Sequence, residues 1–218
     1  MSDIEKRAIT RRGFLKAAGA TAASTVVESA HAITKDLRDS ANGPAPLGPG
    51  AVPFVLHVNG VPHSISIEPR MTLAEALRDT LGLTGTKVVC DRGSCSACTV
   101  WVDKVPTLAC MTLAIDVGMR NITTIEGIGN ADHLHPVQAA FVKHDALQCG
   151  FCTPGMVMSC AALLERNPNP SLDDVKHAIS GNLCRCGTYP KVFAATLEVA
   201  QDRKALSRPA STSNGKDA

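Results

Sequence analysis

Cys90-Asp-Arg-Gly-Ser-Cys95-Ser-Ala-Cys98 is the stretch that decides how this chain folds. Its thiols follow the order C-x4-C-x2-C, and a further one, Cys110, comes after a gap. This is the plant-type spacing of a 2Fe–2S ligand loop. One tight loop can supply three thiolates to a small cluster, while the last arrives from elsewhere in the fold. The residues between them, Gly93, Ser94, Ser96 and Ala97, are short. They let the backbone curl close and aim N–H groups at sulfur, which helps set a reduction potential. A zinc site or two disulfides are the competing readings, but zinc sites usually carry C-x2-C pairs at both ends.

A second set of four lies further on: Cys149-Gly-Phe-Cys152, then Cys184-Arg-Cys186. A C-x2-C pair alone could be zinc, a redox dithiol or chance. The C-x-C partner is uncommon in zinc fingers and awkward for a disulfide, so two facing pairs suit a second 2Fe–2S cluster. Of nine cysteines, only Cys160 is left over. It shares a helical face with Met156, Leu163 and Leu164, and reads as a small buried apolar residue.

The N-terminus bears on where such thiols could be loaded. Arg11-Arg12-Gly13-Phe14-Leu15-Lys16 precedes a short apolar run from Ala17 to Val27 and the sequence Ala30-His31-Ala32. A charged start, a short apolar run and an A-x-A site make a signal peptide over residues 1–32, and the arginine pair resembles a twin-arginine signal. That run is too short to span a bilayer, and no other segment is long and apolar enough. The twin-arginine route exports folded proteins, often with a metal cofactor inserted. A periplasmic destination is therefore compatible with clusters assembled where thiols stay reduced.

Charge narrows the function. The chain has 22 basic and 20 acidic residues, and outside residues 1–32 the two are equal. With aromatics at only 3%, nothing suggests nucleic-acid binding. A free ferredoxin would normally be strongly acidic to steer its docking. There is no G-x-G-x-x-G and no P-loop, so flavin and nucleotide belong to other chains. The histidines are scattered, and no nucleophile–base pair suggests a catalytic residue.

Residues 33–52 read as a linker rich in glycine and proline. From Phe54, alternation and Asn59-Gly60 predict a hairpin. Thr72-Leu-Ala-Glu75 is a capping box ahead of a helix ending near Gly82. Strands are expected at Thr99–Val102 and near Ile122–Ile125. After Gly129 the pattern becomes helical: a helix from His135-Pro136, one from a Thr153-Pro154 cap to Arg166, one from Ser171, and one after Pro190. The expected fold class is α+β, with a ferredoxin-like domain over 53–129, a four-helix domain over 130–204 and a polar, disordered tail over 205–218.

These motifs, with Gln148-Cys-Gly-Phe-Cys-Thr-Pro-Gly155 and Gly181-Asn-Leu-Cys-Arg-Cys186, resemble the small iron–sulfur subunit of the xanthine dehydrogenase family of molybdenum hydroxylases. The resemblance covers about residues 53–200. With the signal, the chain looks like the iron–sulfur subunit of a periplasmic aldehyde oxidoreductase. Cys186-Gly187-Thr188-Tyr189 also looks like the isoquinoline oxidoreductase branch. The resemblance implies a β-grasp domain and a helical domain, each with a 2Fe–2S cluster. It makes Cys149, Cys152, Cys184 and Cys186 the ligands of the cluster near a molybdopterin held by a large partner subunit. Cys90, Cys95, Cys98 and Cys110 then hold the distal cluster, and Gln148 touches the pterin. Electrons would leave one at a time to an FAD-binding medium subunit, a cytochrome or a quinone-linked acceptor. Many family members have glycine where this chain has Ser96, and Thr-Gly where it has Gly187-Thr188. The other reading is a stand-alone module with two clusters or two zinc sites.

Overall fold

The hairpin at Asn59-Gly60 starts the sheet. In the computed structural model, which describes residues 47–207, β1 (Val52–Val58) and β2 (Val61–Ile67) pair antiparallel with Val58 opposite Val61. Asn59 and Gly60 both take the left-handed conformation, as a tight two-residue hairpin turn requires. Asn59 also reaches across the sheet. Its Oδ1 accepts from the Thr124 N–H at 2.9 Å, and its Nδ2 donates to the Thr124 hydroxyl at 3.0 Å. Thr124 is fully buried. Asn59→Ala strands that amide and keeps a side chain at positive φ, so urea denaturation should show a loss of about 2–3 kcal/mol.

Leu73–Glu75 begins a helix, α1, behind the predicted capping box. The Glu75 N–H donates to the Thr72 hydroxyl at 3.2 Å, and the Thr72 N–H donates to Glu75 Oε2 at 2.7 Å. From Ala76 to Thr80 the turns widen to a π-helix, with the Leu81 N–H reaching the Ala76 carbonyl at 3.1 Å. The cluster loop follows, then β3 (Thr99–Val102) and β4 (Val105–Leu108). The strand β4 went unpredicted. Its turn is Asp103-Lys104, both at positive φ, which is weaker turn chemistry than Asn-Gly. A single 3-10 turn (Ala109–Met111), α2 (Ala114–Val117) and β5 (Asn121–Thr123) complete this half. The last strand is shorter than the expected 122–125. The sheet order is β2-β1-β5-β3-β4, with β1 and β5 parallel and the other pairs antiparallel.

The four predicted helices are present: α3 (Pro136–Lys143), α4 (Thr153–Arg166), α5 (Leu172–Ala178) and α6 (Tyr189–Ser207). Two details correct the sequence reading. Thr153 does not cap α4. Cys152 occupies the cap position and Thr153 lies inside the first turn. The helix α6 starts at Tyr189 and runs to Ser207, past the expected start of the tail. The predicted signal, most of the linker and residues 208–218 lie outside the described residues. Among the described residues, no helix is long and apolar enough to cross a membrane.

Each half has its own core. Leu56, Ile67, Leu73, Leu77, Val100 and Ile122 pack behind the sheet. Phe141, Met156, Leu164, Ile179, Val192 and Val199 pack between the helices. All four β3 residues are buried because the strand serves both cores. Val100 and Val102 face the sheet core, while Trp101 joins the helical one and donates its indole N–H to the Met158 carbonyl at 3.0 Å. Over residues 47–207 the chain forms one compact unit, so the two halves are pressed together rather than strung apart.

Candidate metal centre

The loop from Cys90 to Cys98 coils because several residues take left-handed backbone: Asp91, Gly93 and Ser96 all have positive φ. The coil turns N–H groups onto sulfur. The Ser94 N–H donates to Cys90 Sγ at 3.3 Å. The Arg92 N–H and the Cys95 side chain also bond to Cys90 and bring its thiol down to about 7. Cys95, Cys98 and Cys110 are buried. Burial pushes the Cys98 thiol up to about 12, and Cys110 is its side-chain partner. The first quartet is thus assembled as two adjacent pairs, Cys90 with Cys95 and Cys98 with Cys110.

The second quartet forms where two loops meet ahead of α4 and α6. The Phe151 N–H and then Cys186 hold the Cys149 thiol low. Burial, then the Cys184 neighbour, pushes Cys152 up to about 12. Burial works upward on Cys184 as well, but bonds from the Thr188 hydroxyl and backbone outweigh it and bring this thiol to about 7. The Thr188 hydroxyl lies 3.3 Å from Cys184 Sγ. Here too the thiols form pairs, Cys149 with Cys186 and Cys152 with Cys184.

All eight thiols are free, with no disulfide among the described residues. Nor do three potential ligands there converge on one point as a single metal ion needs. Paired thiols around a wider centre suit a cluster of two irons, each taking two thiolates. Nearby donors fit an anionic group. The Thr153 hydroxyl, one residue from Cys152, is buried with no partner among the described residues, which leaves a donor to spare. Cys160 stands apart, fully buried in the helical core, as its spacing predicted.

The departures noted in the sequence have local physical readings. Ser96 sits at φ 54°, in the region that favours glycine. Its carbonyl accepts from the Thr99 hydroxyl at 2.8 Å and from Asn182 Nδ2 at 3.1 Å. Gly187 has φ 78° and turns the chain so that Thr188 faces Cys184. Gln148 lies beside Cys186, Gly187 and Thr188 along a surface cleft of about 330 Å³. Asn182 and Tyr189 stand within the sequence motifs without a role of their own, and the fold supplies one. The Tyr189 hydroxyl accepts from the Cys184 N–H at 2.8 Å and donates to the Asn182 carbonyl at 2.9 Å. Asn182 acts on a partner far away in sequence and fixed only by folding, whereas Tyr189 closes its own loop onto residues just before it.

Comparison with known proteins agrees with this geometry. Residues 56–114 match the family described as a 2Fe-2S iron-sulfur cluster binding domain, and residues 124–197 match a second, described as a 2Fe-2S binding domain. Each match contains one quartet. The chain is 40% identical to the aldehyde oxidoreductase iron-sulfur-binding subunit PaoA of Escherichia coli K12, over 90% of both chains. This chain belongs to the family of iron–sulfur subunits of molybdenum hydroxylases. It carries two 2Fe–2S domains, one after the other. A nicotinate dehydrogenase subunit of Pseudomonas putida KT2440 is another relative, 43% identical over 68% of this chain and 95% of its own. In structure, the family likeness extends to quinoline 2-oxidoreductase of Pseudomonas putida 86. That similarity has a TM-score of 0.68 and 41% identity, and covers 71% of this chain and 97% of that one.

Proposed function

We propose that this chain is the electron-transfer subunit of a molybdenum-dependent aldehyde oxidoreductase, with its eight paired thiols as the cluster ligands. The observation that carries the reading is the pairing of each quartet inside its own 2Fe–2S domain. Cys90, Cys95, Cys98 and Cys110 hold one cluster. Cys149, Cys152, Cys184 and Cys186 hold the other, nearer the molybdenum subunit, where Gln148 faces the pterin. A bound 2Fe–2S cluster supplies a one-electron relay. The protein keeps the thiolates paired, supplies N–H and hydroxyl donors to sulfur, and fixes the distance between the two centres. Oxidation of the substrate belongs to the partner, and an FAD-binding subunit or cytochrome takes the electrons on.

The aldehyde reading is favoured over an N-heterocycle reading by the extent of similarity. The likeness to PaoA covers 90% of this chain and so reaches into residues 1–32, whereas the likeness to the nicotinate dehydrogenase subunit covers 68%. The N-heterocycle reading keeps a footing in the likeness to quinoline 2-oxidoreductase. Anaerobic purification of the tagged chain with its partners separates them. Bleaching of the 2Fe–2S absorption by aromatic or aliphatic aldehydes, and not by quinoline or nicotinate, is the expected result. The reverse pattern assigns the chain to the heterocycle branch, and a colourless, iron-free, folded preparation removes the relay altogether.

Export to the periplasm through the twin-arginine route belongs to the same proposal. It rests on Arg11-Arg12-Gly13-Phe14-Leu15-Lys16 and on the need to load eight thiols before they meet an oxidising compartment. Exchanging both arginines for lysine (Arg11→Lys with Arg12→Lys) should hold the iron-loaded protein in the cytoplasm, read by fractionation. Unchanged export would sink the assignment.

A further inference from the structure

The donors that reach ligand sulfur differ in kind between the two quartets. In the first, the Ser94 N–H donates to Cys90 Sγ at 3.3 Å, a backbone bond that does not depend on the serine side chain. In the second, a side chain is in place: the Thr188 hydroxyl lies 3.3 Å from Cys184 Sγ. Between a thiol and a hydroxyl either group can donate. A cysteine that holds iron is a thiolate with no proton to give, so the hydroxyl is then the donor. We propose that Thr188 sets the reduction potential of the second centre, raising it through the hydrogen bond from its hydroxyl to Cys184 Sγ. The proposal rests on the reading of the quartets as cluster ligands.

The sign follows from charge. Reduction adds one electron, and so one negative charge, to the group that Cys184 ligates. Under the proposed function that electron comes from the molybdenum partner and passes on to the first quartet. No covalent bond breaks and no proton moves. The positive end of the hydroxyl dipole, close to Sγ, stabilises the added charge, so the bond is stronger after reduction than before it. Hydrogen bonds to sulfur are among the factors that place iron–sulfur potentials. Thr188 also lines the cleft of about 330 Å³ that Gln148 shares, on the side the proposed function gives to the pterin. The donor therefore favours the electron where it enters the chain.

The fold holds Thr188 in this place. Gly187 has φ 78°, which a β-branched residue would adopt only under strain, so the order Gly-Thr turns the chain first and sets the hydroxyl against Cys184 afterwards. The Thr188 carbonyl accepts from the Lys191 and Val192 N–H groups at 3.0 and 3.1 Å, which ties the residue to the first turn of α6. Tyr189 closes the loop from the other end, with its hydroxyl on the Cys184 N–H at 2.8 Å and on the Asn182 carbonyl at 2.9 Å. The backbone on both sides of the Cys184–Thr188 contact is thus fixed, and the branched Thr188 side chain is stiff. Thr188 is half-buried, so water competes for its hydroxyl less than at an open surface.

The test uses the intact complex, prepared anaerobically, with wild type beside Thr188→Val and Thr188→Ser. Valine keeps the branched shape and removes the donor, whereas serine keeps the donor. Iron is measured on each sample, and both paramagnetic signals are followed through a mediated redox titration with dithionite. The signal that Cys184→Ala removes reports the second centre. In Thr188→Val its reduction should become about tenfold less favourable, a fall of about 59 mV for one electron, with the first centre unmoved and Thr188→Ser close to wild type. An unchanged second potential in a fully loaded valine variant overturns the proposal. So does an equal fall in both centres, or a serine variant that falls as far as valine, because either reports a change of packing and not the loss of a hydroxyl. If the valine variant loses iron, Thr188→Ala is measured in its place with the same outcomes. Wild-type protein without iron overturns the cluster reading itself, through iron analysis alone.

Discussion

Cys184→Ala is expected to halve the iron and acid-labile sulfide of the purified complex and to erase one of two paramagnetic signals, leaving the other in place. The asymmetry follows from the fold. Cys184 lies in the loop ahead of α6, and its thiol is held between Cys152 and the Thr188 hydroxyl. Removing it opens one pair of the second quartet. The first quartet rests on a different core, built on Leu56, Ile67, Leu73 and Leu77, and none of its thiols pairs with Cys184. A cluster with three thiolates and an alanine has lost a quarter of its protein ligation, and because metal binding is coupled to folding, the loop ahead of α6 should loosen too. Under the proposed function, which puts the second quartet on the molybdenum side, substrate-driven bleaching of the surviving cluster should fall by orders of magnitude. Retention of all the iron would refute Cys184 as a ligand. Loss of both signals would show that the two centres load together.

Much of this site could be read from the chain because its key features are local. Cys90, Cys95 and Cys98 are separated by fixed numbers of residues, so spacing alone reports a loop around one centre. The helix starts at Thr72 and Ser171 were legible for the same reason, since a capping box joins residues three apart. Thr153 shows the limit. A threonine before a proline looks like a cap, yet the helix already includes it, because Cys152 takes the cap position with α-like backbone at φ −81°. The strand β4 escaped because Asp103 and Lys104 make a tight turn without a glycine to announce it. Trp101 lies in a strand that the sequence predicts. Its burial against Met158 depends on a helix more than fifty residues away, which no periodicity within Thr99–Val102 could reveal. The bond made by Asn182 is of the same kind: its partner, Ser96, is distant in sequence and adjacent only after both halves have folded.

Gly155→Ala sets two opposite effects against each other, and the fold decides which wins. Within α4 alone the change should help by up to about 1 kcal/mol, the advantage of alanine over glycine in a helix interior, less here because Gly155 lies in the first turn. Gly155 does not stand alone, however. A Cβ at this position would come within 2.3 Å of the Ser96 carbonyl oxygen and 3.1 Å of Ala97 Cα. Both are backbone atoms of the first cluster loop, so neither can swing aside as a flexible side chain would. Room for the methyl group requires α4 to part from the loop, which strains the Leu183–Cys95 and Asn182–Ser96 bonds and the Trp101–Met158 bond together. Overpacking of this kind costs typically about 1–3 kcal/mol, and here several buried hydrogen bonds stretch with it. The net expectation is a loss of about 2 kcal/mol in urea denaturation of the loaded protein, with Gly155→Val failing to retain iron in either quartet. A variant more stable than wild type would mean that helix propensity governs, and that the close approach of α4 to the Cys95–Cys98 loop is looser than these distances require.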